Sequence, residues 1–373
     1  MMTNLLIAAL VMTPAPAAPA AESKVQAMLD TLVRDDKATA ALIRVDSRVD
    51  SQAGSQVDSR ADSRAGSWSA AAGVADLRTQ KPADPAGHFR IGSITKTFAA
   101  TVVMQLVDEG EVKLDEPIAR YLPGEVPGGT KITVRQILNH TSGLYDYMHE
   151  PGYSTNRWRG KDRFRHYDPA ELLKVAFADP AESTEPGKAW AYSNTNYVVA
   201  GRLIEKVTGR PYGKEVQRRI LQPLKLAGTS VPGDRPGLPY PHARGYEPVG
   251  GKLVDATRMN PSLDGAAGEM ISTGSDLNRF AGALLGGELT SARSLAAMRT
   301  TQETRAGFRY GLGLQEYPLP CGKSVWGHSG ELIGYLTFTF AAEDGTRMTL
   351  SVNPGTRQGT TEDLFGIAAT IFC

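Results

Sequence analysis

The sequence predicts an α/β protein, with one domain assembled from both ends of the chain and a mainly helical domain inserted between them. Three observations predict it. Segments 41–45 and 68–77 near the start, and 324–326, 335–341 and 348–352 near the end, read as strands. Segments 97–109 and 196–207 in the middle repeat apolar residues at helical spacing. The chain has 373 residues, which at roughly 100–200 residues per domain allows one large or two ordinary domains. Strands at both ends with helices between assign 21–92 and 255–373 to the α/β domain and 93–254 to the helical one.

Taken in order, the chain opens with an apolar run, 5–12, followed by an Ala- and Pro-rich stretch. The run is too short to span a bilayer and suits the apolar region of a secretory signal, with Ala18-Pro19-Ala20 as a small-residue cleavage site. Residues 1–20 are expected to be a signal peptide, although they carry no Lys or Arg. Residues 45–68 read as tetrads of the type Val-Asp-Ser-Arg and Ala-Gly-Ser-Gln. That period fits neither strand nor helix, and it supplies almost no large apolar residue. The segment is therefore expected to be an expanded hairpin loop. It lacks the Gly-rich nonapeptide of calcium-binding repeats.

The helix over 97–109 places Phe98, Val102, Leu106 and Val107 on one face, and Gly110 ends it. The helix over 196–207 is stopped by Gly209 and Pro211. Ser275 or Asp276 can cap a helix running to Leu285. Glu343-Asp344-Gly345 turns between the last two strands, and 362–372 closes the chain as a helix.

Composition removes several classes of function. Lys+Arg is 41 and Asp+Glu is 40, a net charge of +1 that argues against nucleic-acid binding. Hydrophobic residues are 41% and charged residues 22%, enough for a buried core, and no apolar run is long enough to cross a membrane. Cys321 and Cys373 are the only cysteines. They leave room for one disulfide, which export would favour, or for two free thiols. His88, His149, His166 and His242 form no metal-ligand spacing, and no cofactor is implied. The chain contains no Gly-x-Ser-x-Gly elbow, no His-Glu-x-x-His, no Walker loop and no Gly-x-Gly-x-x-Gly.

One constellation carries chemistry. Ser93-Ile94-Thr95-Lys96 places a serine and a lysine three residues apart at a helix start, on one face and within contact. A serine hydroxyl needs a neighbouring base, and a desolvated lysine can be one. The helix N-terminus adds N–H groups near a developing oxyanion. Tyr192-Ser193-Asn194 lies just before the second helix. Its phenol could relay a proton, and the Asn194 amide could hold a substrate amide. His328-Ser329-Gly330 stands at a strand start. Glycine there would let a substrate approach the strand edge, and the next N–H could complete an oxyanion hole.

These motifs, together with the strings Phe89-Arg90-Ile91-Gly92-Ser93, Asn139-His140-Thr141-Ser142-Gly143-Leu144 and Tyr310-Gly311-Leu312-Gly313, resemble the penicillin-recognising serine hydrolases. That family holds class C β-lactamases, secreted D-alanyl-D-alanine carboxypeptidases, D-aminopeptidases and related esterases. The resemblance implies a β-lactamase/transpeptidase-like fold, an antiparallel sheet flanked by helices with a mainly helical insert. It implies Ser93 as acylated nucleophile and Lys96 with Tyr192 as the proton-relay pair, either one being the base. Asn194, His328, Ser329 and Gly330 would bind substrate, and the backbone N–H groups of Ser93 and Glu331 would form the oxyanion hole. Cys321 and Cys373 resemble a disulfide of the secreted carboxypeptidases. His140 is expected to cap or pack locally.

Carboxypeptidase members can carry an Arg on the strand before His-x-Gly to grip the substrate carboxylate. Here that stretch is Leu314-Gln315-Glu316-Tyr317, and Gln is a weaker neutral substitute. Arg157, Arg159, Arg163 or Arg165 could compensate, the alternative being a solvated loop. The expected activity is a D-alanyl-D-alanine carboxypeptidase-type peptidase acting on a D-alanyl peptide or a β-lactam. β-Lactamase, D-aminopeptidase, esterase and non-hydrolytic penicillin sensor are the alternatives. The protein is expected to be a secreted or cell-envelope monomer without a transmembrane anchor. Activity toward carboxylate-bearing substrates is expected to change between about pH 5.5 and 8, as the His328 imidazole titrates.

Overall fold

A computed structural model describes residues 20–47, 66–154, 159–179, 183–357 and 359–373. The expected signal segment up to residue 19, the tetrads over 48–65 and Arg157 lie outside the described residues.

Among the described residues, nine strands form one sheet: β1 (Ala38–Asp46), β2 (Ser67–Asp76), β3 (Lys81–Pro82), β4 (Gln302–Glu303), β5 (Arg309–Tyr310), β6 (Gln315–Pro318), β7 (Ser324–Leu332), β8 (Tyr335–Ala341) and β9 (Arg347–Pro354). The spatial order is β3-β2-β1-β9-β8-β7-β6-β5-β4, with every neighbouring pair antiparallel. The two chain ends meet at the centre, where Ile43 of β1 stands opposite Leu350 of β9. The longer helices are α1 (Ala20–Arg34), α2 (Thr95–Asp108), α3 (Thr195–Thr208), α4 (Gly274–Leu285) and α5 (Thr361–Phe372).

Strand periodicity sorts the sheet into two faces. Ile43, Leu350 and Phe338 share one face and are covered by Val25, Leu29 and Leu32 of α1 and by Leu364, Ile367 and Phe372 of α5. Each such side chain contributes about 1.5–3 kcal/mol when fully buried. The Cys321–Cys373 disulfide is formed, tying the end of α5 to the turn between β6 and β7. The other face carries buried Thr337, Thr339, Thr349 and Ser351. Thr349 donates to Asn278 of α4 at 2.7 Å, Asn278 donates to the Arg44 carbonyl at 3.2 Å, and Thr337 donates to the Arg90 carbonyl at 3.2 Å, so buried hydroxyls of this face find partners in α4 and in the chain before α2.

The sequence reading of α2 as a one-sided helix is too narrow. Thr95 to Met104 are all buried, and Phe98 stacks on Phe280 of α4 with ring centroids 3.7 Å apart. A helix buried on all sides belongs in the middle of a core. The cap of α4 also differs from expectation. Thr273, not Ser275 or Asp276, accepts from the Asp276 N–H at 3.3 Å. The Asp276 carboxylate is taken by Gly228 N–H and Thr229 Oγ1 at 2.8 and 2.7 Å. α3 ends as the sequence predicts, on Gly209 in the left-handed region at φ 68°.

Candidate active site

Ser93 lies on the 3₁₀ turn Gly92–Ile94, which runs directly into α2. Gly92 has φ 49°. A methyl group on it would sit 2.6 Å from the Glu331 backbone nitrogen, so glycine is what lets this turn press on β7.

Lys96 is one helical turn further on and 0% exposed. Its ammonium donates to Ser93 Oγ at 3.0 Å, Asn194 Oδ1 at 2.8 Å and the Ala267 carbonyl at 2.7 Å. These acceptors use all three of its protons. Burial lowers its pKa from 10.5 to about 7, against the opposing pull of Asp146 and Asp264. Asn194 is satisfied at both ends, because its Nδ2 donates to Asp146 Oδ2 at 2.9 Å. It therefore holds Lys96, a role the sequence reading did not give it.

Tyr192 precedes α3, and its hydroxyl donates to Ser93 Oγ at 2.7 Å. Burial raises its pKa well above the usual 10, which disfavours the phenolate. Ser93 Oγ thus faces two candidate bases. Of these, Lys96 is the one whose environment favours its neutral, proton-accepting form near neutral pH.

The third motif sits on β7. β6 pairs with β7 only as far as Gly327, so the stretch beyond it has an open edge. There Ser329 N–H donates to Gln315 Oε1 at 2.7 Å. Backbone N–H groups alternate between the two edges of a strand, so Glu331 N–H points to the same open edge, toward the Ser93 turn. A methyl on Gly330 would lie 2.9 Å from Ser93 N and 2.0 Å from the Ile91 carbonyl oxygen. The space at Gly330 is filled by the turn carrying the serine, which corrects the expectation that it is left for substrate.

His328 lies inside β7 and not at its start. It is 2% exposed, with Nδ1 at 2.5 Å from the Ser329 carbonyl and Nε2 at 2.9 Å from the Tyr310 hydroxyl. A carbonyl accepts only, so Nδ1 carries the proton and Nε2 accepts from Tyr310. Burial lowers the His328 pKa from 6.5 to about 3, overriding the Ser329 carbonyl. The expected titration between pH 5.5 and 8 is thus overturned: desolvation keeps the ring neutral throughout.

Gln315 is anchored through its carbonyl oxygen. Its Oε1 accepts from Ser329 N–H, from Ser329 Oγ at 3.1 Å and from Tyr317 OH at 3.0 Å. Of the candidate compensating arginines, Arg163 donates to the carbonyls of Arg258 and Asp255 at 2.5 and 3.2 Å, and Arg165 pairs with Glu171. The Arg159 charge acts on Glu247.

The structure thus brings Ser93, Lys96, Tyr192, Asn194 and the Glu331 backbone together. His328, Ser329 and Gly330 shape the adjoining strand. Sequence reasoning missed the Ala267 carbonyl, which carries no side-chain signal. It also missed Asp146, which stands two residues after the Asn139–Leu144 string. Among the described residues no group of three or more His, Cys, Asp or Glu could hold a metal ion. A cavity of about 620 Å³ lies behind the Gly265–Gly268 turn, lined by Tyr212, Asp234 and Glu269, and Ser93 does not border it.

A family model described as Beta-lactamase matches residues 45–368. Penicillin-binding protein 4 of Amycolatopsis lactamdurans is 28% identical over 79% of this chain and 80% of its own length. Penicillin-binding protein 4* of Bacillus subtilis (strain 168) is 30% identical over 71% of this chain, and the match spans only 60% of that relative. The solved structure of a D-stereospecific amidohydrolase from Streptomyces sp. is 37% identical. It superposes with a TM-score of 0.82 over 94% of this chain and 98% of that one.

Proposed function

The chain belongs to the beta-lactamase family of serine hydrolases, with the β-lactamase/transpeptidase-like fold, and from that premise we propose that it cleaves the amide bond of a D-configured aminoacyl substrate through an acyl-enzyme on Ser93. The observation that carries the substrate reading is the neutral character of the strand side of the cleft. His328 is uncharged and bonded to Tyr310, and Gln315, anchored through its Oε1 by Ser329 and Tyr317, carries no charge. A carboxypeptidase gains most from a guanidinium or ammonium at this place. An amidase or aminopeptidase, whose leaving group carries no carboxylate, needs none. The likeness to a D-stereospecific amidohydrolase supports the same reading.

The residues divide the chemistry as follows. In the neutral-amine form Lys96 takes the proton as Ser93 Oγ attacks the carbonyl carbon, and the negative charge on the carbonyl oxygen meets the N–H groups of Ser93 and Glu331. As the C–N bond breaks, the proton held on Lys96 passes by way of the Tyr192 hydroxyl to the departing nitrogen, so Lys96 returns to the free amine and Tyr192 keeps a proton. Water then attacks the ester carbonyl, and the proton it loses restores the Ser93 hydroxyl by the reverse path. Asn194 and Ala267 keep Lys96 aimed at Ser93. The Cys321–Cys373 disulfide supports a secreted or cell-envelope location, since such bonds persist in oxidising compartments.

The test compares D- and L-phenylalanine amide with D-alanyl-D-alanine and its C-terminal amide, on wild type and Ser93→Ala. The expected result is turnover of the D-configured amides, lost in Ser93→Ala. Turnover of D-alanyl-D-alanine alone would return the protein to the carboxypeptidase class.

A further inference from the structure

His140 belongs to none of the three motifs, yet it bonds the residues on either side of the catalytic tyrosine and stacks on its ring. It is 0% exposed and stands at φ 61°, in the left-handed region that only a few non-glycine residues adopt. That backbone turn directs both its carbonyl and its ring at the segment around Tyr192. The His140 carbonyl accepts from Ala191 N–H at 2.9 Å, and its Nδ1 accepts from Ser193 N–H at 3.2 Å. Between these flanking anchors, the imidazole stacks on the Tyr192 ring with centroids 4.3 Å apart and planes 29° from parallel.

The ring has one allowed state here. Ser142 donates its hydroxyl proton to Asn196 Oδ1 at 2.5 Å, which turns the Asn196 amide nitrogen toward His140 Nδ1 at 3.2 Å. Two N–H donors converge on Nδ1, so it must be unprotonated and the single proton sits on Nε2. A second proton on Nδ1 would face both donors, and burial and the Lys96 charge oppose it as well.

We propose that His140 is a positioning residue, clamping Ala191 and Ser193 and stacking on Tyr192 so that the phenol stays aimed at Ser93 Oγ. It touches neither Ser93 nor the reacting atoms, so it acts through the segment 191–193 that carries Tyr192. The inference rests on the reading of Ser93 as nucleophile and Tyr192 as its proton relay.

The test is a double-mutant cycle on full-length protein, read by kcat and KM for D-phenylalanine amide, whose departing nitrogen takes its proton through Tyr192. His140→Ala is expected to lower kcat by about tenfold or more, the scale set by misorienting one catalytic group. KM should hardly change. In a Tyr192→Phe background the same His140→Ala change should cost less than about twofold, because the hydroxyl it positions is gone. His140→Asn keeps an acceptor for Ser193 and tolerates the positive φ, so it guards against misfolding of the alanine variant and isolates the loss of the stack. It should fall between wild type and His140→Ala. An equal loss in both backgrounds, or wild-type turnover by both His140 variants, would overturn the proposal. Wild-type turnover by Ser93→Ala would instead remove the nucleophile assignment beneath it.

Discussion

Gly330→Ala tests whether the catalytic serine is placed by the contact of one turn with one strand. An alanine Cβ would stand 2.0 Å from the Ile91 oxygen and 2.9 Å from Ser93 N, where ordinary contact begins at 3.4 Å. Both are backbone atoms, which cannot rotate away as a side chain can. The Ile91–Ser93 segment must then withdraw by about 1.4 Å, the difference between 3.4 and 2.0 Å. Ser93 and its N–H move with it, away from Glu331 N–H. A misplacement of about 1 Å costs roughly 10²-fold in rate, and a lost oxyanion donor costs about 10²–10³-fold. The cost in stability is that of an overpacked site, about 1–3 kcal/mol. The expected outcome is a folded protein acylated at least about a hundredfold more slowly. Gly237→Ala, where an added Cβ meets nothing within 4 Å, should match wild type in rate and melting temperature. Acylation of Gly330→Ala at the wild-type rate would refute the argument that this approach sets the geometry.

Three further outcomes follow from the charges and cross-links. Hydrolysis should be lost as pH falls through about 7, because the active form of Lys96 is the free amine and burial brings its pKa there; a kcat/KM profile from pH 5 to 9 should show no second inflexion from His328. Glu269, 3% exposed, has its carboxyl pKa raised by burial from 4.5 to about 7. A raised carboxyl pKa means the native state binds the extra proton, so stability falls as pH rises from 4.5 to about 7. Glu269→Gln should flatten that slope, by about 3 kcal/mol at most over the interval, as followed by urea denaturation at each pH. Reducing the Cys321–Cys373 bond, which spans 52 residues, should cost up to about 4 kcal/mol of loop-closure entropy. That would appear as a lower melting temperature in reductant.

Much of the fold was legible because periodicity is a local property. Alternation marked β8 with the observed bounds, and the glycine after α3 marked its end. Ser93 and Lys96 were legible because a spacing of three is fixed by helix geometry. The failures were all tertiary. The sequence shows an imidazole at 328 but not the depth of burial that keeps it neutral. It shows glycine at 330 but not that another backbone fills the space. It offers Ser275 and Asp276 as caps, but packing against Gly228 and Thr229 takes the aspartate and leaves the cap to Thr273. The hold of Asn194 on Lys96 was not legible because its partners, Lys96 and Asp146, lie 98 and 48 residues away along the chain.

The most direct test of the account is the intact mass of acid-quenched protein during turnover of D-phenylalanine methyl ester. An alkyl ester expels its alcohol more readily than an amide expels its amine, so the acyl-enzyme forms faster and accumulates. The account predicts a phenylalanyl adduct that maps to the peptide containing Ser93, in wild type and not in Ser93→Ala. It also predicts a much weaker adduct with the L-ester. Full turnover by Ser93→Ala, or an adduct on any other residue, would contradict it.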